Sequence, residues 1–194
     1  MPQRDVALSR IAKVVPTPRA AVPLDQIDFG LLRLLAEDAR TSQRQLAAKL
    51  GISAPTVSER MSRLERSGVI RGYSVRVDWE ALGFGIPVYL SITATAGYDV
   101  AEMMKSLWAI TEVEDVTLVT GTLDILARLR ARNDIHLRSV LMNQIWQIPG
   151  LQGTETMMGM AEMPAKDMVT NLITQMQAAA GAPEAEEAGP EVAG

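Results

Sequence analysis

The chain has 194 residues, about half of them apolar, and no cysteine. Disulfides, thiolate metal sites and cysteine nucleophiles are therefore excluded, and a reducing cytoplasm fits. No apolar run approaches the roughly 20 residues of a membrane helix, and the net charge of −4 divides unevenly along the chain. Residues 1–80 carry 13 Lys/Arg against 9 Asp/Glu and residues 81–194 carry 6 against 14, so only the first part suits phosphate.

Residues 1–23 hold Arg4, Arg10, Lys13 and Arg19 against Asp5 alone, and Pro16, Pro18 and Pro23 break them. They read either as a flexible basic arm or as an ordinary loose terminus, and they lack the apolar stretch of a signal peptide. Residues 24–70 read as three helices. In the first, over about 24–36, Ile27, Leu31, Leu34 and Leu35 share one face. The second follows Thr41-Ser42, either of which can cap it, and carries Leu46, Ala47 and Leu50. Gly51 supplies the positive φ of a sharp turn. Ser53 then caps a third helix that runs to about residue 67, where Gly68 ends it.

A short turn with glycine between two helices is the DNA-reading arrangement, in which the second helix enters the major groove. At 100° per residue, Val57, Met61 and Leu64 fall together toward the core. Glu59, Ser62, Arg63 and Arg66 fall opposite, flanked by Pro55, Thr56 and Ser58. Ser42, Arg44 and Ser53, at the starts of the second and third helices, complete the candidate DNA-contacting set. Arginines and hydroxyls are the groups that reach bases and phosphates, although a charged outer face can equally meet only water. Arg63 and Arg66 lead the set. Glu59 can accept from a cytosine amine or orient an arginine, and Arg60, nearer the core edge, suits an ion pair as well as DNA.

Residues 71–85 are expected to form a linking strand or short helix. From residue 86, Ile86, Val88, Leu90 and Ile92 alternate with Pro87, Tyr89, Ser91 and Thr93, the pattern of a half-buried strand. Val100, Met103, Met104, Leu107 and Ile110 have helical spacing, and 116–120 and 125–130 are strands about the turn 121–124. Ile135, Val140, Leu141 and Ile145 predict another helix, stopped by Pro149-Gly150, and 154–163 is the last strand. The order βαββαβ is the ferredoxin-like arrangement, over 86–163. An amphipathic helix follows over 164–177, and 178–194, with Glu184, Glu186, Glu187 and Glu191, reads as an acidic disordered tail. The fold class expected is α+β: an N-terminal winged helix-turn-helix domain and a C-terminal ferredoxin-like βαββαβ domain.

The string Leu24-Asp25-x-Ile27-Asp28, then Leu46-Ala47-x-x-Leu50-Gly51-Ile52-Ser53, then Thr56-Val57-x-x-Arg60-x-x-Arg63-Leu64-Glu65-x-x-Gly68-Val69-Ile70 resembles the Lrp/AsnC family of feast/famine regulators. The resemblance runs on through Gly72-Tyr73, Leu118-Val119-x-Gly121-x-x-Asp124 and Pro149-Gly150 to the strand at Thr154, and spans roughly residues 24–163. It implies double-stranded DNA as partner and homo-oligomers in which sheets pair into dimers and dimers into tetramers, octamers or larger rings. It also implies an amino acid or related metabolite as effector in clefts between subunits, at a cytoplasmic, nucleoid-associated address.

That cleft would be formed by the turn Gly121, Thr122, Leu123 and Asp124, faced by Thr154, Thr156 and Met158, with Met157 between them. Gly121 lets a ligand approach the backbone and Asp124 can hold an ammonium group, or both are simply what a tight hairpin wants. Thr122 departs from the acidic residue many relatives carry, which bears on ligand choice. No catalytic residue, metal site or cofactor is expected. His136 is the only histidine and sits among apolar helix positions, and Gly83-x-Gly85 lacks the rest of a phosphate loop. An enzyme and a ligand-independent architectural DNA-binding protein are the alternative classes.

Overall fold

The computed structural model describes residues 19–163 and 166–181. Most of the basic arm and of the acidic tail lie outside the described residues. The chain divides into two compact units, one of Ala20–Val75 with the C-terminal helix and one of Arg76–Met163.

The first unit is helical. Helix α1, Gln26–Glu37, starts at Asp25, whose carboxylate accepts from Ile27 N and Asp28 N while Asp28 reaches back to Asp25 N. This reciprocal box satisfies donors that the first turn would otherwise leave open. Helix α2, Gln43–Leu50, has the same device in Ser42 and Gln45. Gly51 ends it at φ 66°, a left-handed value that a side chain would strain. Helix α3, Ala54–Arg66, starts at Ser53, which accepts from Thr56 N, with Pro55 in the first turn where its missing N–H costs nothing. Leu31, Leu34, Leu35, Leu46, Ala47 and Val57 form the core of the three helices.

The C-terminal helix α6, Met168–Gly181, starts and ends four residues later than the sequence pattern predicts. It packs on α1, where Gln177 Nε2 donates to Gln26 Oε1 at 3.3 Å. Ile173, one turn before Gln177, and Phe29, one turn after Gln26, are buried as well.

The second unit follows βαββαβ: β1 Ile86–Ala94, α4 Val100–Trp108, β2 Val113–Leu118, β3 Ile125–Ala131, α5 Asp134–Asn143 and β4 Leu151–Met158. The sheet order is β2-β3-β1-β4 with every pair antiparallel, which is the ferredoxin-like topology expected. Val88, Leu90 and Ile92 of β1 lie beside Leu129, Ala127 and Ile125 of β3 on the face covered by Met103, Leu107, Val140 and Ile145. Tyr89, Ser91, Leu126 and Arg128 point to the other face, because successive strand residues alternate.

Several boundaries differ from expectation. Strand β2 begins at Val113 and β4 at Leu151, because Val113 pairs with Leu129 and Leu151 with Ala94; register across the sheet decides this, and single-strand alternation does not show it. Strand β4 ends at Met158, where Gly159 N makes the last bond, to Pro87 O at 2.8 Å. Residues 71–85 form neither strand nor helix within the chain. Instead Asp78 Oδ1 accepts from Glu80 N and Ala81 N and starts a turn.

Candidate nucleic-acid interface and effector site

Helix α3 turns Val57 and Leu64 into the core, both fully buried, with Met61 half-buried beside them. Pro55, Glu59 and Arg66 are exposed on the outer side, and Thr56, Ser58, Ser62 and Arg63 are half-buried. Ser42, Arg44 and Ser53 are exposed at the helix starts. The two serines already serve as caps, and Ser53 Oγ lies 2.7 Å from Thr56 Oγ1. The side chains of Arg44 and Arg66 make no hydrogen bond or ion pair among the described residues, so their guanidinium groups are open to an anion.

Arg60 and Arg63 are held differently. Arg60 Nη1 pairs with Asp25 Oδ2 and, at 3.2 Å, with Asp28 Oδ1. Arg63 Nη2 pairs with Asp28 Oδ2, and its Nη1 lies 3.5 Å from Pro23 O. Asp28 is completely buried, and Asp25 N also donates to its carboxylate at 3.0 Å. The Arg60 guanidinium holds the Asp25 carboxyl below its usual range, helped by the backbone N–H of Asp28, and Arg60 is in turn pushed up by Asp25 and Asp28. A groove of about 640 Å³ opens here, with Pro23, Asp25 and Asp28 on one side and Thr56, Glu59, Arg63 and Arg66 on the other.

Sequence reasoning placed Arg60 at the core edge but missed Asp28. The signal was present: an acid three residues after a capping acid, opposite arginines three residues apart on the next amphipathic helix.

In the sheet unit, Gly121 has φ 131° in the turn between β2 and β3. Asp124 is tied to the end of β1: its N–H donates to Ile92 O at 3.0 Å and its Oδ2 accepts from Ala94 N at 2.8 Å. Thr154 pairs with Ile92 from the other side, and its Oγ1 accepts from Trp146 Nε1 at 3.2 Å. Asp124 and Thr154 thus flank one end of β1, roughly two strand spacings, about 10 Å, apart. Thr156 and Met158 pair with Leu90 and Val88 and run away from that end, so the seven candidate residues are not one cluster within the chain.

Two features of this unit went unforeseen. Arg130 is buried, with Nε 2.6 Å from Glu114 Oε1, Nη2 3.0 Å from Glu162 Oε2 and its guanidinium over the Trp79 ring at 5.6 Å. Arg128 joins the same two acids. Its Nε lies 2.8 Å from Glu114 Oε2 without hydrogen-bond alignment, which leaves that N–H unsatisfied. His136 accepts from Arg132 N at Nδ1, so Nε2 is the nitrogen that donates to Glu112 Oε1, at 3.1 Å. Among the described residues no helix is long and apolar enough to cross a membrane, and no three acids or histidines gather for a metal.

A three-helix reader with a free cationic face, and a separate ferredoxin-like sheet, are the parts of a DNA-binding transcriptional regulator with a ligand-binding domain. Residues 24–71 match the family described as "Winged helix-turn-helix DNA-binding", and residues 88–168 match "Lrp/AsnC ligand binding domain". The HTH-type transcriptional regulator FL11 of Pyrococcus abyssi is 35% identical over 136 residues, 70% of this chain and 89% of that one. The solved structure of E. coli AsnC superimposes with a TM-score of 0.70 at 27% identity, over 75% of this chain and 99% of that one. The fold is also that of a Neisseria meningitidis regulator solved with L-Met, at a TM-score of 0.69 and 20% identity, over 74% and 94% of the two chains. The chain belongs to the Lrp/AsnC family of transcriptional regulators.

Proposed function

We propose that this regulator reads double-stranded DNA with α3 and the start of α2, as a homo-oligomer whose DNA affinity an amino acid or related metabolite shifts, in the cytoplasm and on the nucleoid. The observation that carries the reading is the outer face of α3: Arg66 and Glu59 stand exposed, with Thr56, Ser58 and Ser62 beside them, and Arg44 is free at the start of α2. Pro55, Ser42 and Ser53 shape the helix starts around that face, and Arg63 supports it from the side of Asp28. Pairing of sheets between copies is supported by the open sheet face, where Met157 and Leu126 are exposed and Tyr89, beside Met157, is half-buried.

An amino-acid effector is supported by the L-Met complex of the Neisseria regulator and, here, by the positive φ of Gly121, which leaves open space where a side chain would stand. One observation favours the ligand-independent reading: Asp124 Oδ2 and Thr154 Oγ1 already serve Ala94 and Trp146. The test is binding to the protein's own promoter region, at several salt concentrations, with and without each amino acid. Specific, salt-sensitive binding that one amino acid shifts is expected. Specific binding that none shifts transfers the reading to the architectural class, and absence of specific binding rejects both.

A further inference from the structure

Helix α3 touches its own unit through two kinds of contact. The apolar contact of Val57, Met61 and Leu64 is non-directional, so it resists separation better than rotation. The polar contact is directional. Arg60 and Arg63 stand one turn apart on α3, and their guanidinium groups meet the two oxygens of one carboxylate, that of Asp28. That carboxylate is itself fixed, because Asp28 lies in the capped first turn of α1 and accepts from Asp25 N at 3.0 Å. Turning α3 by one residue would carry both arginines away and leave a fully buried carboxylate unpaired, which is strongly unfavourable. Only one rotational setting of the helix keeps the pair.

We propose that Asp28 is a positioning residue for DNA recognition: its buried carboxylate, gripped by Arg60 and Arg63, sets the rotation of α3 and so decides which side chains of that helix face the bases. Arg63 serves this grip, and Arg66, one turn further on and unpaired, is the cation that α3 leaves for DNA. Asp28 adds nothing to the attraction for phosphate, since its charge has the wrong sign, so its contribution is to sequence discrimination. The proposal rests on the DNA-binding function of the unit.

The test uses the full chain, a duplex enriched by that chain from a random-sequence pool, and a scrambled duplex of equal length and composition. Each variant is first checked for parental helix content by circular dichroism. Asp28→Asn keeps the shape and removes the charge. It is expected to lower the ratio of selected to scrambled affinity by about tenfold or more while the salt dependence stays parental. Arg66→Gln, by contrast, is expected to reduce the slope of log affinity against log salt by about one.

A ratio within twofold of the parent in folded Asp28→Asn overturns the proposal. So does an equal fall in both affinities, which is the mark of a purely structural role. If Asp28→Asn fails to fold, Arg63→Gln, which leaves Arg60 on the carboxylate, decides. The same loss of discrimination at parental salt slope supports the grip, and a slope reduced by about one places Arg63 on a phosphate and overturns it. A parent chain that enriches no sequence removes the DNA reading itself, and that result appears before any variant is made.

Discussion

Among the described residues each unit buries one charge, and the two do so with opposite signs. In the helical unit the buried group is an acid, Asp28, gripped by two arginines. In the sheet unit it is a cation, Arg130, held by two glutamates. The surroundings differ as well. Asp28 joins two helices across a core of six buried residues, whereas Arg130 lies on the sheet face opposite a core of sixteen. The partners of both keep part of their side-chain surface in water: 27% and 40% for Arg60 and Arg63, and 22% and 33% for Glu114 and Glu162. A small helical core supplies little directional packing, so a polar grip has more to do there. A four-stranded sheet is already aligned by its backbone ladder, and its arginine cluster is an addition.

The comparison is broken most severely by removing the buried acid. Asp28→Ala leaves two arginines facing a void, and thermal unfolding of the helical unit should show a loss of about 3–5 kcal/mol, the usual consequence of deleting one partner of a buried pair. A loss under about 1 kcal/mol would mean that the two guanidinium groups find water and that the grip is an accessory. Arg130→Ala should cost less, about 1–3 kcal/mol, because Arg128 still pairs with both Glu114 and Glu162. Arg130→Met sharpens the point: its apolar stem keeps the packing while Arg128 stays on Glu114 and Glu162, so it is expected within about 1 kcal/mol of the parent by denaturant titration. Loss from Arg130→Met as large as from Asp28→Ala would erase the distinction between the units.

How much of this was legible follows from where each signal sits along the chain. The caps Ser42 and Ser53, the turn glycine Gly51 and the inward line of Val57 and Leu64 are local, set by residues within a turn of one another, and the sequence carries them directly. The alternation of Ile86 to Ile92 likewise gave β1 and the identity of its core face. The start of β4 was hidden because Leu151 pairs with Ala94, more than fifty residues away. Asp28 reads as one more first-turn acid until α3 is laid against α1, and the ion pair of Arg63 with it is hidden for the same reason. Asp124 and Thr154 stand in the sequence as candidate residues only. Their engagement with Ala94 and Trp146 depends on the packing of β1 and on the turn before β4, which no local pattern encodes.

A smaller effect separates cap from grip within the helical unit. Ser53→Ala removes the acceptor for Thr56 N and the partner of Thr56 Oγ1, and should lower stability by about 1 kcal/mol in thermal unfolding. It leaves the Asp28 pairs untouched, so the ratio of selected to scrambled DNA affinity should remain parental. A fall in that ratio would mean that the start of α3, and not its rotation, limits discrimination.

The smallest expected effect is on pH. The Asp25 carboxyl is held below its usual value chiefly by the hydrogen bond from Arg60, so the folded chain binds this proton less readily than the unfolded chain. The stability so contributed is fully present above the unfolded value, near pH 4, and is lost as pH falls further through the folded value. Asp25 is half-exposed, which screens the pair and keeps the contribution small. Asn caps a helix as well as Asp, so Asp25→Asn removes the charge and keeps the start of α1. Amide hydrogen exchange in α1 between pH 4 and pH 2 should then change less steeply in Asp25→Asn than in the parent, while amides of β1 change equally in both. Equal slopes in α1 would show that Arg60 does not hold Asp25 in solution, and the grip on α3 would then rest on Asp28 alone.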